Sequence, residues 1–480
     1  MTPSHNDAPQ VPVLRILDER PDECACRTLT SAQVAFCLVT LALIIGAAIW
    51  RPLGVLLVIN GLLIVFYVVN SAYKFYLVYL SLERPVEIGV SPEEMAAADD
   101  SALPTYTLLI PLYREARVLE GLVAGLQRMD YPTDKLDVQL LLEEDDQETI
   151  AAAMAMDLPA HIRPVVVPDS QPKTKPKACN WGLYTCHSDL LVIYDAEDRP
   201  EPDQLKKAAL AFAKVPDNVV CLQAKLNYYN QRQNLLTRWF TAEYSVWFDL
   251  FLPGLTASGA PIPLGGTSNH FRVEPLKAIG GWDPFNVTED CDLGVRLHKD
   301  GWRTAMLAST TWEEANGRLL SWIRQRSRWA KGYLQTYLVH MRHPLKLLRE
   351  LGPAAFFSLQ MTIGGSLVCF LFNPIYWLMT ALWLLTHSPI ISALFPPAIY
   401  LLGSFCLIGA NFVFVYMSVA GCMQRGYYDL VKYALLTPAY WLMMSIGAYK
   451  AFAQIIVRPH YWEKTMHGFA QPDDTGGEAA

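Results

Sequence analysis

What most limits this sequence is where it carries no charge. Residues 351–424, between Glu350 and Arg425, hold no Asp, Glu, Lys or Arg. Two shorter uncharged runs lie near the start, Thr28–Trp50 and Pro52–Tyr73, separated by Arg51. A helix crosses a bilayer with roughly 20 apolar residues. Each early run is long enough for one crossing, and together they predict a helical hairpin over 31–82. The later gap has room for three, divided by turn signals at Asn373-Pro374, His387-Ser388-Pro389 and Pro396-Pro397. One more crossing is expected at about 430–457. The expectation is therefore two helices before residue 90 and about four over 351–457. An even total returns the end of the chain to the side on which the middle domain lies. The polar segment 1–30, with Arg15, Asp18, Glu19 and Arg20, is too charged for a cleaved signal peptide.

Composition supports this division. The chain is 52% hydrophobic and only 18% charged, against about a quarter charged in soluble domains. Its formal net charge of −7 gives no basic field for nucleic acid, and no nucleic-acid partner is expected. The ten cysteines show no zinc-like spacing and read as reduced, buried thiols.

Between about 95 and 345 the charges return and strands alternate with helices. Short apolar runs at 105–111, 136–142, 163–167 and 190–194 read as strands, and 114–129 has helical periodicity. That order predicts an α/β domain with a doubly wound parallel sheet. Such sheets bind ligands at the carboxyl ends of their strands. Two of these strands end in acid: Glu143-Glu144-Asp145-Asp146 and Asp195-Ala196-Glu197-Asp198. Asp195 and Glu197 can reach one divalent cation, Mg²⁺ or Mn²⁺, which take oxygen ligands and share them with phosphates. Lys173, Lys175 and Lys177 can face a diphosphate. Gly265-Gly266-Thr267-Ser268-Asn269 is a small hydrogen-bonding loop, fit to admit a sugar or simply to turn. Aromatic-rich stretches near 235–252 and 318–342 read as interfacial helices.

Three motifs, in order, carry a resemblance. Asp195-x-Glu197, Thr288-Glu289-Asp290 and Gln325-x-x-Arg328-Trp329 resemble the DxD, TED and QxxRW signature of membrane-integrated family 2 glycosyltransferases. These include cellulose synthase-like, hyaluronan synthase-like and ceramide glucosyltransferase enzymes. The resemblance implies a GT-A-like nucleotide-diphosphosugar fold, inserted between membrane helices with its catalytic domain in the cytoplasm; the lack of eukaryotic targeting features and the compact size suggest a bacterial inner membrane as the setting. The resemblance implies roles as well. Asp290, beside Glu289, is the catalytic base. Asp195 and Glu197 hold the metal, Glu replacing the more usual Asp. Pro111, Tyr113 and Glu115 match the opening nucleotide motif, and either Glu144 or Asp145 takes the base-binding position. Lys177 and Asn180 match a KAxN-type element near the nucleotide. Arg328 meets the diphosphate, while Gln325 and Trp329 meet the acceptor, with Gly266, Thr267 and Ser268 beside it. Thr465 and His467 fall in a segment similar to a gating loop, ahead of a disordered tail within 458–480. The implied partners are a nucleotide-sugar donor, a glycan or lipid acceptor, membrane lipid and accessory export subunits. The implied reaction is inverting transfer, with UDP-glucose the default donor.

Overall fold

A computed structural model describes residues 12–459. Within them the chain forms two compact units. One comprises 12–26, 87–226 and 262–313; the other comprises 27–86, 227–261 and 314–459.

The first unit is built on a mixed sheet. Its strands are β1 (Tyr106–Leu112), β2 (Leu136–Glu143), β3 (Ile162–Val167), β4 (Leu190–Ile193), β5 (Arg199–Pro200), β6 (Val219–Tyr228), β7 (Asn269–Arg272) and β8 (Arg303–Glu313). Their order is β3-β2-β1-β4-β7-β6-β8-β5. The first four pair in parallel, as the alternation of strand and helix predicts. β7 then runs antiparallel to both β4 and β6, so the expected parallel sheet holds for one half and an antiparallel half extends it. Every residue of β4 is buried, and β1 and β2 are buried along most of their length. Strands covered on both faces read as unbroken apolar runs, which is how the sequence presents them. This α/β architecture is GT-A-like. The crossover at β4 places the Asp195 turn at the carboxyl edge of the parallel half.

The second unit is helical. Helix Ser31–Trp50 opens with a reciprocal cap: Gln33 N–H donates to Thr30 Oγ1 at 3.2 Å, and Thr30 N–H to Gln33 Oε1 at 2.9 Å. None of its residues is buried, and Leu43 and Ile49 are 68% and 81% exposed. A helix apolar on all sides suits lipid rather than water. Among the described residues, four helical runs are long and apolar enough to cross a membrane: Ser31–Trp50, Pro52–Glu83, Pro344–Thr386 and Pro397–Gln424. The region 351–457 is thus divided differently from the sequence expectation. Pro374 lies inside a helix rather than at a turn. The break comes earlier, at Gly352, whose φ of 76° interrupts the run just before Pro353. In an apolar helix, neighbouring helices and local adjustments tolerate a proline, so an Asn-Pro pair is a weak stop signal there. Helix Thr437–Val457 follows. All ten cysteines are free thiols.

Candidate active site

The site begins where β4 ends. Asp195 follows the buried Tyr194, and its backbone N–H donates to the Asp198 carboxylate at 2.7 Å. The Thr267 hydroxyl lies against Asp198 Oδ2 and the Ile193 carbonyl. Lys175, at the start of helix Lys175–Tyr184, reaches across: its ammonium pairs with Asp195 Oδ1 and donates to the Gly266 carbonyl at 2.8 Å. A side chain at Gly266 would start 3.3 Å from Asp290 Oδ2. Glycine there lets Asp290, in the first turn of helix Glu289–Lys299, lie against the loop. Lys175, Asp195, Gly266 and Asp290 thus converge from four separate parts of the sequence.

The electrostatics of this cluster follow from burial and from neighbouring charges. Burial works against the Lys175 charge, yet Asp195 and then Glu289 hold the ammonium well above its ordinary value. Burial pushes the Asp198 carboxyl well above the usual carboxylate range, and Asp195 and Glu197 push it further. Glu313, at the end of β8, rises for the same reasons: burial first, then Asp198, Asp195 and Glu197. A cation among these carboxyls would relieve the repulsion that raises Asp198 and Glu313. Among the described residues no three His, Cys, Asp or Glu form a ready-made metal cage. The donors are hard oxygens, which fits Mg²⁺ or Mn²⁺ sharing its ligands with a diphosphate.

The other expected residues fall into distinct places. Tyr113 Oη lies 3.4 Å from Asp145 Oδ2, and Lys173 pairs with Asp145 at 2.8 Å, holding that carboxyl below its usual range. Glu144 instead accepts from the Asp169 N–H at 2.8 Å. Arg114, at a φ of 59°, carries the chain from Tyr113 to Glu115, and its N–H meets Asp146. The Glu115 N–H donates to Thr149 Oγ1 at 3.2 Å, and Pro111 sits within β1 opposite Leu141.

Lys177 and Asn180 do not face the Asp195 cluster. Lys177 is fully buried, its ammonium 2.5 Å from Glu143 and 3.0 Å from the Pro168 carbonyl. Two residues along a helix is more than half a turn, so Lys175 and Lys177 point to opposite sides. Lys175 is the lysine aimed at the cluster. Asn180 bonds to backbone, at Val13 and at Trp282. Ser268 is buried with its hydroxyl 2.7 Å from Thr311 Oγ1, and Thr267 is turned inward likewise. Only Gly266 of that trio meets Lys175 and Asp290. Sequence reasoning missed Glu313, because no motif surrounds it and only the sheet brings β8 to the Asp195 turn.

In the helical unit, Gln325, Arg328 and Trp329 lie on helix Leu319–His340. Gln325 is buried, and the Trp329 ring packs beside Phe240 and Tyr244 at 6.0 and 6.2 Å. Between them sits Arg326, buried, paired to Glu243, bonded to Tyr440 Oη at 2.8 Å and lying 4.7 Å over the Trp329 ring. Thr465 and His467 lie outside the described residues.

Comparison with known proteins settles the family of this domain. Residues 104–332 match the family described as Glycosyltransferase like family 2. They are a glycosyltransferase family 2 domain. Among curated relatives, the beta-monoglucosyldiacylglycerol synthase of Trichormus variabilis is 28% identical over 244 residues, covering 49% of this chain and 50% of its own length. The probable glucomannan 4-beta-mannosyltransferase 7 of Oryza sativa subsp. japonica is 25% identical over 303 residues, covering 59% and 51%. The chain spans about half the length of these two relatives. Among solved structures, a mannosyltransferase from Pyrobaculum calidifontis in complex with GDP-Man and Mn²⁺ aligns over 82% of this chain and 99% of its own. Its sequence identity is 19% and its TM-score 0.47. The transferase domain holds Asp195, Glu289, Asp290 and Lys175, while Thr465 and His467 lie beyond the matched segment.

Proposed function

We propose that this chain is a membrane-bound inverting glycosyltransferase that moves a sugar from a nucleotide diphosphate to an acceptor hydroxyl. The observation that carries the reading is the convergence of Lys175, Asp195, Gly266 and Asp290 at the edge of the parallel strands. A hydroxyl is a weak nucleophile and needs a base as it attacks the anomeric carbon. Asp290 serves as that base. One base and direct displacement invert the centre, so no second carboxylate nucleophile is needed. The donor diphosphate gathers charge as it leaves. Lys175 is placed to meet that charge, moving off Asp195 to do so. Asp195 and Glu197 would hold Mg²⁺ or Mn²⁺, which supplies Lewis-acid stabilisation of the leaving diphosphate. Tyr113 and Asp145 receive the nucleotide at the neighbouring strand end. Gln325, Arg328 and Trp329 serve the acceptor and diphosphate, with Trp329 offering a flat face to a sugar ring.

The default acceptor is a growing β-linked polysaccharide, extended from UDP-glucose in the cytoplasm and passed through the protein's own membrane helices. A second reading, transfer of one sugar to a lipid, is favoured by the likeness to a monoglucosyldiacylglycerol synthase. Purified protein in nanodiscs with Mg²⁺ or Mn²⁺, given labelled UDP-glucose, UDP-GlcNAc or GDP-mannose, separates the two. Label in high-molecular-weight polymer without added lipid supports the first; label only in organic extract supports the second. No transfer from any donor would overturn both. Asp195→Ala is expected to abolish transfer together with Mn²⁺ binding followed by electron paramagnetic resonance. Undiminished Mn²⁺ binding would remove Asp195 from the metal site.

A further inference from the structure

The segment before the first apolar helix is folded onto the transferase unit rather than trailing from it. Within residues 12–26, Val13, Ile16, Cys24 and Ala25 are all buried. The Arg15 guanidinium donates to the Lys277 carbonyl at 2.9 Å, and Arg20 forms a forked pair with Asp300 at 2.6 and 3.1 Å. Lys299 reaches Glu23 at 2.6 Å. The Ala25 N–H donates to the buried Asp283 carboxylate at 2.5 Å, while the other Asp283 oxygen accepts from the Phe285 N–H at 3.0 Å.

Asn180 is the joint of this arrangement. Its amide donates to the Val13 carbonyl at 3.1 Å and to the Trp282 carbonyl at 2.8 Å, and its oxygen accepts from the Trp282 N–H at 2.9 Å. One amide side chain thereby ties the N-terminal segment, helix Lys175–Tyr184 and the 279–286 loop together. Gly281, at a φ of 68°, makes this possible: a side chain there would start 2.4 Å from Asn180 Oδ1. The same loop is fastened twice more. Thr174, immediately before Lys175, lies 3.1 Å from the Pro284 carbonyl, and Arg296 donates to Gly281 O at 2.8 Å. The loop then runs into Glu289 and Asp290.

We propose that residues 13–25 form a clamp and that Asn180 is a positioning residue, which together fix Lys175 relative to Asp290. This deepens the transferase reading and rests on it for its kinetic arm. It also replaces the nucleotide contact that the family resemblance suggests for Asn180.

The test uses the full chain in nanodiscs, with Asn180→Asp, Ile16→Asp and their double variant. Asn180→Asp keeps the acceptor oxygen but removes both donated bonds; Ile16→Asp undocks the clamp. Amide hydrogen exchange over 281–292 is expected to rise roughly tenfold or more in each, and no further in the double variant. Affinity for UDP and GDP is expected to stay within about twofold, while turnover falls roughly 10- to 100-fold through misplacement of the reacting groups. Unchanged exchange in either single variant would overturn the clamp. A loss of nucleotide affinity matching the loss of turnover would put Asn180 on the nucleotide and overturn its positioning role. Should Ile16→Asp cost the fold, Ile16→Ala is the milder undocking variant and must raise exchange over the same residues. If the wild type transfers no sugar from any donor, the transferase reading fails, while the exchange result still decides the clamp.

Discussion

The helical unit and the Asp195 turn of the transferase unit hold buried charge in different ways. In the helical unit two buried arginines each have a carboxylate counterpart. Arg326 pairs with Glu243 and Tyr440 among aromatic faces, and Arg425 pairs with Asp249 at 2.5 Å, both members buried. In the transferase unit Lys177–Glu143 and Arg296–Asp292 are matched in the same way, but at the Asp195 turn, where Lys175 pairs with Asp195, the Asp198 and Glu313 carboxyls are driven up by burial and by neighbouring carboxyls. A matched pair in a desolvated place needs nothing more and serves the fold. A cluster of buried carboxyls that raise one another is costly as it stands and gains from a cation that arrives. The contrast teaches that carboxyls raised by one another, rather than buried charge as such, set the proposed site apart.

The contrast can be broken at several points. The largest effect is expected from Asp290→Asn, which removes the proposed base without changing the side chain's size. Turnover should fall about a thousandfold with UDP affinity nearly unchanged; intact turnover would move the base elsewhere. Next comes acid. His270 in β7 is buried, with Nδ1 2.6 Å from Tyr106 Oη, and burial lowers its pKa to about 3. Its unfolded form takes a proton near pH 6.5 and its folded form does not. Its contribution is therefore complete above about 6.5 and is lost as pH falls toward 3, on the order of 4 kcal/mol. Unfolding midpoints of His270→Phe against pH should lack that slope, and an unchanged slope would assign acid sensitivity to other groups.

Arg326→Met tests the opposite unit. It strands Glu243, which is about one-third exposed, and should cost about 3 kcal/mol, seen as a lower Tm. Adding Glu243→Gln should recover part of that loss. A fall in turnover with no change in Tm would show that this pair is functional and would break the comparison. The smallest effect sharpens it: Glu313→Gln removes one of the clustered carboxyls and should weaken Mn²⁺ binding about tenfold in a titration. Equal affinity would confine the cation to Asp195 and Glu197.

Much of this was legible in the chain itself. The uncharged runs marked the apolar helices, because a lipid-facing helix cannot carry charge cheaply. The parallel strands announced themselves as short apolar runs because both of their faces are covered. Asp195 and Asp290 were readable since their neighbours form contiguous motifs. Tertiary structure decided the rest. Lys175 and Lys177 look equivalent in sequence, and only a helix beginning at Lys175 sends one to Asp195 and the other into the Glu143 pocket. Asn180 sits in what reads as a nucleotide motif, yet its amide is spent on backbone from both sides of it in sequence. Glu313 carries no local signal, and β8 brings it to the Asp195 turn across more than a hundred residues. Asn373-Pro374 spells a turn in water but lies within an apolar helix. Local pattern reports which face or solvent a residue prefers; which partner it meets there depends on contacts between distant segments, and a single sequence does not encode those in any local period.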